Sequence, residues 1–299
     1  MFKFFLLLLI IVIIYIFIKF NLKINNDLTI IQLNNPSKTI LEENLNNLSP
    51  TIITNAMDKW NNFSLFTIDN LKKKNITAKI KLNKSLIEQE KTDTILTPAN
   101  EFLNWISKND SNQKETPKPN FYLSEDESFL KLFDLYNIFN DFANYYLSPL
   151  SIFKSYPIWI GSKGTRTGLH WDPEYRNIIC QLYGTKKIYL FSPNQTQYLY
   201  ISNKYDNGSK TSSVNFWNID NKKYPLFSKA KYMEIILNEG QMLYIPKYWW
   251  HSCENQTTSV SISIRSYIPS DIITNFPNAC LNIAHKMGFY KKNNCTCHI

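Results

Sequence analysis

The sequence predicts a mainly β fold: an antiparallel jelly roll with flanking helices, preceded by one N-terminal transmembrane helix. Three observations predict it. Residues 156–268 break into short runs of branched and aromatic residues, the composition of strands packed on a core. Gly161, Gly164, Pro173, Gly184, Pro193, Gly240 and Pro246 punctuate those runs as turns would. The chain opens with "MFKFFLLLLIIVIIYIFIKF", apolar without a break from Phe4 to Ile18 and bracketed by Lys3 and Lys19.

Taken in order, the apolar run falls short of the ~20 residues that span a bilayer. Phe2, Phe20 and snorkelling by the two lysines extend it. No small residues mark a signal-peptidase site, so residues 1–20 are expected to be an uncleaved, single-pass signal anchor. Lys3 and the terminal amine balance Lys19 and Lys23, so charge assigns the domain to neither side of the membrane. Residues 21–299 are expected to form one domain, because hydrophobic residues make up 44% of the chain and no Gly/Ser- or Pro-rich linker divides it. Within it, "LSPTIITNAMDKW" predicts a strand from Thr51 to Thr54, turning into Asp58-Lys59-Trp60. "AKIKLNKSL" alternates like a second strand, and "PANEFLNWISKN" spaces Phe102, Trp105 and Ile106 at helical intervals behind Pro98. "SNQKETPKPN" (111–120) predicts a loop. The jelly-roll core follows at about 156–268, in "PIWIGSKGT", "TGLHWDP", "NIICQLYG", "KKIYLFSP", "QMLYIP" and "SVSISIRSY". Residues 194–232, rich in Asn, Tyr and Ser, are expected to be an insertion between strands, and such loops often cover sites. Residues 270–299 close the chain as a helical tail.

The net charge of +9 suits nucleic acid, an anionic membrane surface or an acidic substrate. No compact basic-aromatic block is present, so the expectation is a lysine-rich solvated surface with no specific nucleic-acid partner. Sequons such as Asn62-Phe63-Ser64 and Asn75-Ile76-Thr77 follow from an Asn-rich composition and carry no information on compartment. Of five cysteines, Cys180 and Cys253 sit in strand-like text as small buried residues. Cys280, Cys295 and Cys297 lie near the C-terminus with His285 and His298. The "CTCH" spacing matches no standard zinc pattern, and metal binding, a disulfide and a frayed tail all stay open.

Chemistry concentrates in "GLHWDPEYRN". The chain has only four histidines, and here His170 stands two residues from Asp172. On a strand, i and i+2 share a face, so both project into one cavity while Trp171 packs away. His251, expected to follow a strand ending "YIPKYWW", would complete two imidazoles and one carboxylate. That set holds iron(II) on one side and leaves positions for substrate and oxygen.

The flanking text "PIWIGSKGTRTGLHWDPEYRNIICQLYGTKKIYLFSPNQ" and "EGQMLYIPKYWWHSCENQTTSVSISI" resembles the JmjC/cupin-like (cupin 8) family of iron(II), 2-oxoglutarate-dependent oxygenases. Within that family the look is nearest to the asparaginyl hydroxylase that inhibits hypoxia-inducible factor. The resemblance covers roughly 30–268, strongly over 156–192 and 239–267. It implies a double-stranded β-helix and makes His170, Asp172 and His251 the metal ligands. Lys186 matches the family lysine that pairs with the distal carboxylate of 2-oxoglutarate, and Lys187 should point to the opposite face. Thr167 matches a hydroxyl donor to that carboxylate, Tyr122 in "FYLSED" a phenol completing the clamp, and Asn177 an amide near the co-substrate. Each has a structural use as well: Lys186 as an exposed strand lysine, Thr167 as a turn residue, Tyr122 as a core aromatic. Two departures stand out. The Asp172–Lys186 spacing is one residue longer, as a bulge near Pro173–Arg176 would make it. Arg265 replaces an asparagine near the co-substrate.

The resemblance implies a membrane-anchored hydroxylase using Fe(II), 2-oxoglutarate and O2, with a protein side chain as substrate ahead of RNA or methyl-lysine. A homodimer through residues 270–299 is also implied. Two alternatives come from other classes: a non-catalytic cupin-like binding module tethered to a membrane, and a zinc- or manganese-loaded isomerase or hydrolase. Lys186 and Thr167, which have no evident task without a dicarboxylate, weigh against the last.

Overall fold

The computed structural model describes residues 9–17, 24–84, 94–111, 121–206, 209–292 and 294–295. The first half contributes β1 (Ile31–Asn34), β2 (Thr51–Thr54), β3 (Lys79–Asn83), β4 (Thr94–Pro98) and β5 (Leu123–Asp126). Next come β6 (Ile152–Ser155), β7 (Ile158–Gly161), β8 (His170–Trp171), β9 (Arg176–Tyr183) and β10 (Lys186–Phe191). The short β11 (Lys210–Thr211) is followed by β12 (Met233–Leu237), β13 (Met242–Tyr244), β14 (Trp250–Asn255) and β15 (Ser259–Tyr267). They form a mainly β structure of two facing sheets. The larger runs β1-β2-β13-β9-β15-β7-β5, with β6 also on β15; the smaller runs β11-β8-β14-β10-β12; β3 and β4 pair separately.

The period of 2 explains why the sheets stack in layers. In β9, Ile178, Cys180 and Leu182 join one core cluster, and in β15 so do Val260, Ile262 and Ile264. Their cluster partners include Leu41, Leu45, Phe102, Ile106 and Phe139, from helices Lys38–Asn46, Ala99–Ser111 and Tyr136–Ala143, so these helices cover one face of the larger sheet. The alternate residues face the sandwich interior, where Ile179 and Leu243 meet Ile188, Leu190 and Ile235 of the smaller sheet. The outer face of the smaller sheet carries Phe191 and Trp250, packed with Leu199, Val214 and Phe227 from residues 193–229.

Several readings differ from this arrangement. β8 holds only His170–Trp171, and Asp172 lies just beyond its end. Residues 172–175 form a loop between β8 and β9 rather than a bulge within a strand. β13 stops at Tyr244, and the chain turns through Pro246–Trp249, with Tyr248 at φ 69. His251 is therefore the second residue of a new strand, β14, and does not trail an old one. β12 and the helices between 128 and 143 are also absent from the sequence reading, because their apolar residues are scattered or their runs too short to show a period.

Residues 9–17 are helical, with Leu9, Ile13 and Phe17 exposed. The rest of the proposed anchor, residues 1–8 and 18–20, lies outside the described residues, and among those described no helix is long and apolar enough to cross a membrane. The 111–120 loop beyond Ser111, together with Cys297 and His298, also lies outside them. Cys180 and Cys253 are buried, and Cys280 and Cys295 are free thiols.

The turn from β9 to β10 carries the chain from one sheet to the other. Gly184 sits there at φ 72, and a Cβ on it would meet the Thr258 carbonyl oxygen at 2.0 Å. Gly164, at φ 83, has nothing within 4 Å of its Cβ position. Gly184→Ala is therefore expected to destabilise the fold by about 2–5 kcal/mol, combining backbone strain with overpacking, against about 1–2 kcal/mol for Gly164→Ala. Urea midpoints at unchanged slope measure both. Equal shifts would show that the Thr258 contact does not set the cost.

Candidate metal centre

His170 on β8 lies directly opposite His251 on β14 in an antiparallel pair, so two histidines far apart in sequence become neighbours through one register. Their ring centroids are 4.3 Å apart. Asp172 completes the cluster, with its Oδ1 3.7 Å from His170 Nε2 and its Oδ2 3.6 Å from His251 Nε2. The three potential ligand atoms lie within 4.8 Å of one another.

Backbone contacts fix which nitrogen each imidazole presents. His170 Nδ1 is 2.8 Å from the Gly168 carbonyl and His251 Nδ1 3.2 Å from the Trp249 carbonyl. A carbonyl only accepts, so Nδ1 carries the proton and the Nε2 lone pair is left aimed at the cluster. Burial, reinforced by the neighbouring His170, holds His251 down at about 3, so this ring stays neutral near pH 7. Burial opposes ionisation of Asp172. Arg265, the two imidazoles and the Asn177 amide outweigh it and keep the carboxyl below its usual range. Asn177 Nδ2 donates to Asp172 Oδ2 at 2.8 Å, and Arg265 Nη2 to the same oxygen at 3.2 Å. The other arm of Arg265 bonds Glu125.

This donor set fits a divalent metal such as iron(II). Two imidazole nitrogens and one carboxylate oxygen converge from one side, each oriented by a further hydrogen bond.

The cluster opens into a cavity of about 690 Å³ between the two sheets. Ser261, Ser263 and Arg265 line it from β15, Asn177 and Ile179 from β9, and Lys186 from β10. Lys186 is 7% exposed and donates from Nζ to Ser261 Oγ at 2.5 Å. It shares the inward face with Ile188 and Leu190, whereas Lys187 pairs at the outside with Glu234 at 2.6 Å. A buried ammonium beside hydroxyl groups in the cavity of the cluster suits one end of a small dicarboxylate. Thr167 also lines the cavity; its Oγ1 accepts from the Cys253 amide at 2.9 Å, and its hydroxyl proton stays available to a ligand.

The sequence candidates thus divide. His170, Asp172, His251, Lys186, Thr167, Asn177 and Arg265 all line one cavity. Tyr122 is buried at a bridge with Asn83 and is not among the lining residues, though Asn83 is. Arg265 has its guanidinium on Asp172 and Glu125 and stacks over Trp159 at 5.4 Å, which makes it a holder of the metal-site carboxylate. The sequence reading missed Ser261, Ser263, Glu125 and Trp159. The alternation of serine with valine or isoleucine in "SVSISIRSY" was the available signal for the serines, since one face of that strand is polar. Nothing local marks Glu125 or Trp159.

Comparison with known proteins follows the same lines. A family model for a cupin-like domain matches residues 36–270. JmjC domain-containing protein D of Dictyostelium discoideum is 44% identical over 104 residues, 35% of this chain and 23% of that protein. HSPB1-associated protein 1 of Homo sapiens is 38% identical over 112 residues, 37% and 23% of the two chains. Lysine-specific demethylase JMJ30 of Arabidopsis thaliana is 31% identical over 227 residues, 72% of this chain and 49% of that protein. The matches span less than half the length of each of these relatives. With the match to most of its length and its JmjC-containing relatives, the chain belongs to the cupin-like domain family.

Proposed function

We propose that this protein is an iron(II)- and 2-oxoglutarate-dependent oxygenase that hydroxylates a protein side chain. The observation that carries the reading is one cavity holding both a His-Asp-His cluster and a buried lysine ammonium. Bound iron(II), with 2-oxoglutarate and oxygen, would supply oxidation of a substrate C–H bond. The chain supplies the rest. His170, Asp172 and His251 would hold the metal from one side and leave its other positions facing the cavity. Lys186, bonded to Ser261 and with Thr167 in the same lining, would orient the diacid by its distal carboxylate. Arg265 and Asn177 keep Asp172 ionised and fixed in direction. The apolar half of the sandwich, with Ile179, Ile188 and Leu190, excludes water behind the site. The name of one relative records demethylation of lysine and that of another association with a protein, which supports a protein substrate.

We also propose that residues 1–20 attach the domain to a membrane, supported by the exposed apolar side chains of residues 9–17. The full chain is expected in the membrane fraction and a chain lacking residues 1–20 in the supernatant. Equal partitioning of the two would remove the anchor.

With added iron(II), the purified protein should convert 2-oxoglutarate to succinate. His170→Ala should lower that turnover at least ~100-fold while its melting curve stays close to that of the parent, as loss of a direct ligand requires. A well-folded parent that binds neither iron(II) nor 2-oxoglutarate ends the reading. A variant that keeps full turnover removes His170 from the metal.

Lys186→Ala should weaken 2-oxoglutarate binding by about 10–100-fold, the loss of one buried charge-assisted hydrogen bond, and leave iron(II) affinity within about 3-fold. Isothermal titration of each ligand separates the two. An unchanged 2-oxoglutarate affinity would assign the diacid to another cation.

A further inference from the structure

We propose that the mouth of this cavity takes an acidic peptide segment, rich in Asp and Glu, as the substrate. The inference rests on the oxygenase reading and names the class of substrate for the same site. Three lysines line the mouth from separate parts of the chain: Lys81 on β3, Lys204 ahead of β11, and Lys223 in the turn before Pro225. All three side chains are exposed. Among the described residues, the carboxylates in the same lining outside the metal cluster are Asp206 and Glu125, and Glu125 is taken up by Arg265.

Exposed lysines are common on a chain of net charge +9, so placement has to carry the argument. Each of the three sits on a fixed backbone. Lys81 pairs with Leu96 in the β3–β4 ladder. The Lys223 amide donates to Asp220 Oδ1 at 3.1 Å. Lys204 is held from both sides. Its amide donates to Ser202 Oγ at 3.2 Å, while the next residue, Tyr205, is buried, donates to the Asn294 carbonyl at 2.9 Å, and lies 4.4 Å from the His285 ring. Lys291 Nζ bonds the Asn203 carbonyl at 2.6 Å, so the C-terminal segment ties down the loop that carries Lys204. Ser202, Ser212, Ser213 and Asn215 fill the lining nearby with neutral hydrogen-bonding groups suited to carboxylates and peptide backbone.

A single exposed lysine pair contributes little. Three fixed cations around one concave opening act together, since a cleft focuses the field and raises the local concentration of anionic ligand. The same field opposes a methylated lysine tail. Single-stranded nucleic acid would want open aromatic faces for its bases. Here Tyr224 packs edge-on against Tyr200 at 5.0 Å and Trp159 lies under Arg265, so the lining aromatics are engaged and a peptide fits better.

The test uses the full chain and fluorescence anisotropy with labelled peptides of equal length, one rich in Asp/Glu, one with those positions as Asn/Gln, and one with them as Lys, plus a single-stranded RNA. The acidic peptide should bind at least ~10-fold tighter than the others and weaken steeply with salt. Lys81→Glu/Lys204→Glu/Lys223→Glu should cut its affinity ~30-fold or more. Lys131→Glu/Lys154→Glu/Lys229→Glu, away from the mouth, should cut it less than ~3-fold. Equal binding of acidic and basic peptides, equal losses in the two triple variants, or tighter binding of the RNA would each overturn the proposal. Succinate formation by the parent, measured in parallel, separates the layers. If it is absent while the acidic peptide still binds at the mouth, the oxygenase reading fails and the peptide site stands. If it is present without acidic selectivity, only the substrate class fails.

Discussion

The polar half of the sandwich depends on one arrangement: Asp172, buried yet ionised, held between Arg265 and Asn177 on one side and two imidazoles on the other. Taking a carboxylate out of water costs several kcal/mol unless charge and hydrogen bonds replace its hydration. Here a guanidinium and an amide converge on a single oxygen, Oδ2. Arg265 in turn is held by Glu125 and by the face of Trp159, so its position is over-determined. The same contacts that keep Asp172 charged also fix its direction, and a metal ligand needs both.

That arrangement explains an unusual strand. β15 is buried along nearly its whole length, yet every second residue is polar: Ser259, Ser261, Ser263, then Arg265. Burying serines is tolerated where they find partners, as Ser259 and Ser261 do. Ser259 accepts from Gln181 at 2.7 Å and Ser261 from Lys186 at 2.5 Å. The isoleucines between them complete the opposite core. One strand thus serves two solvents, an apolar layer under the helices and a wettable wall facing the cavity.

How much of this was legible in the sequence varies by residue. The jelly-roll text between 156 and 268 showed itself through branched residues and Gly/Pro punctuation, signals that depend only on neighbours along the chain. His170 and Asp172 were legible as an i, i+2 pair, and His251 and Lys186 through the motifs around them. Tyr122 was read as a cavity residue, and the structure holds it in a bridge with Asn83, just before β5, a pairing no local pattern encodes. The role of Arg265 was invisible for the same reason. Its partner Glu125 lies 140 positions away, and no local pattern encodes such a meeting. Contacts set by long-range pairing are where sequence reasoning stops.

The distribution of charge through the cavity then follows from what each depth must do. Within the cavity, Lys186 is a buried cation, where one fixed charge is worth more than at the surface. At the candidate metal centre two carboxylates outnumber one guanidinium. Arg265 faces Asp172 and Glu125, and His251 is neutral, so an incoming divalent ion meets a carboxylate and two lone pairs with no competing proton on the buried ring. At the mouth, Lys81, Lys204 and Lys223 sit in water, where each is weak and only their joint field acts over distance. A basic rim does not compete with the metal cluster, because solvent screens it. It can therefore select what approaches without altering what the buried ligands hold.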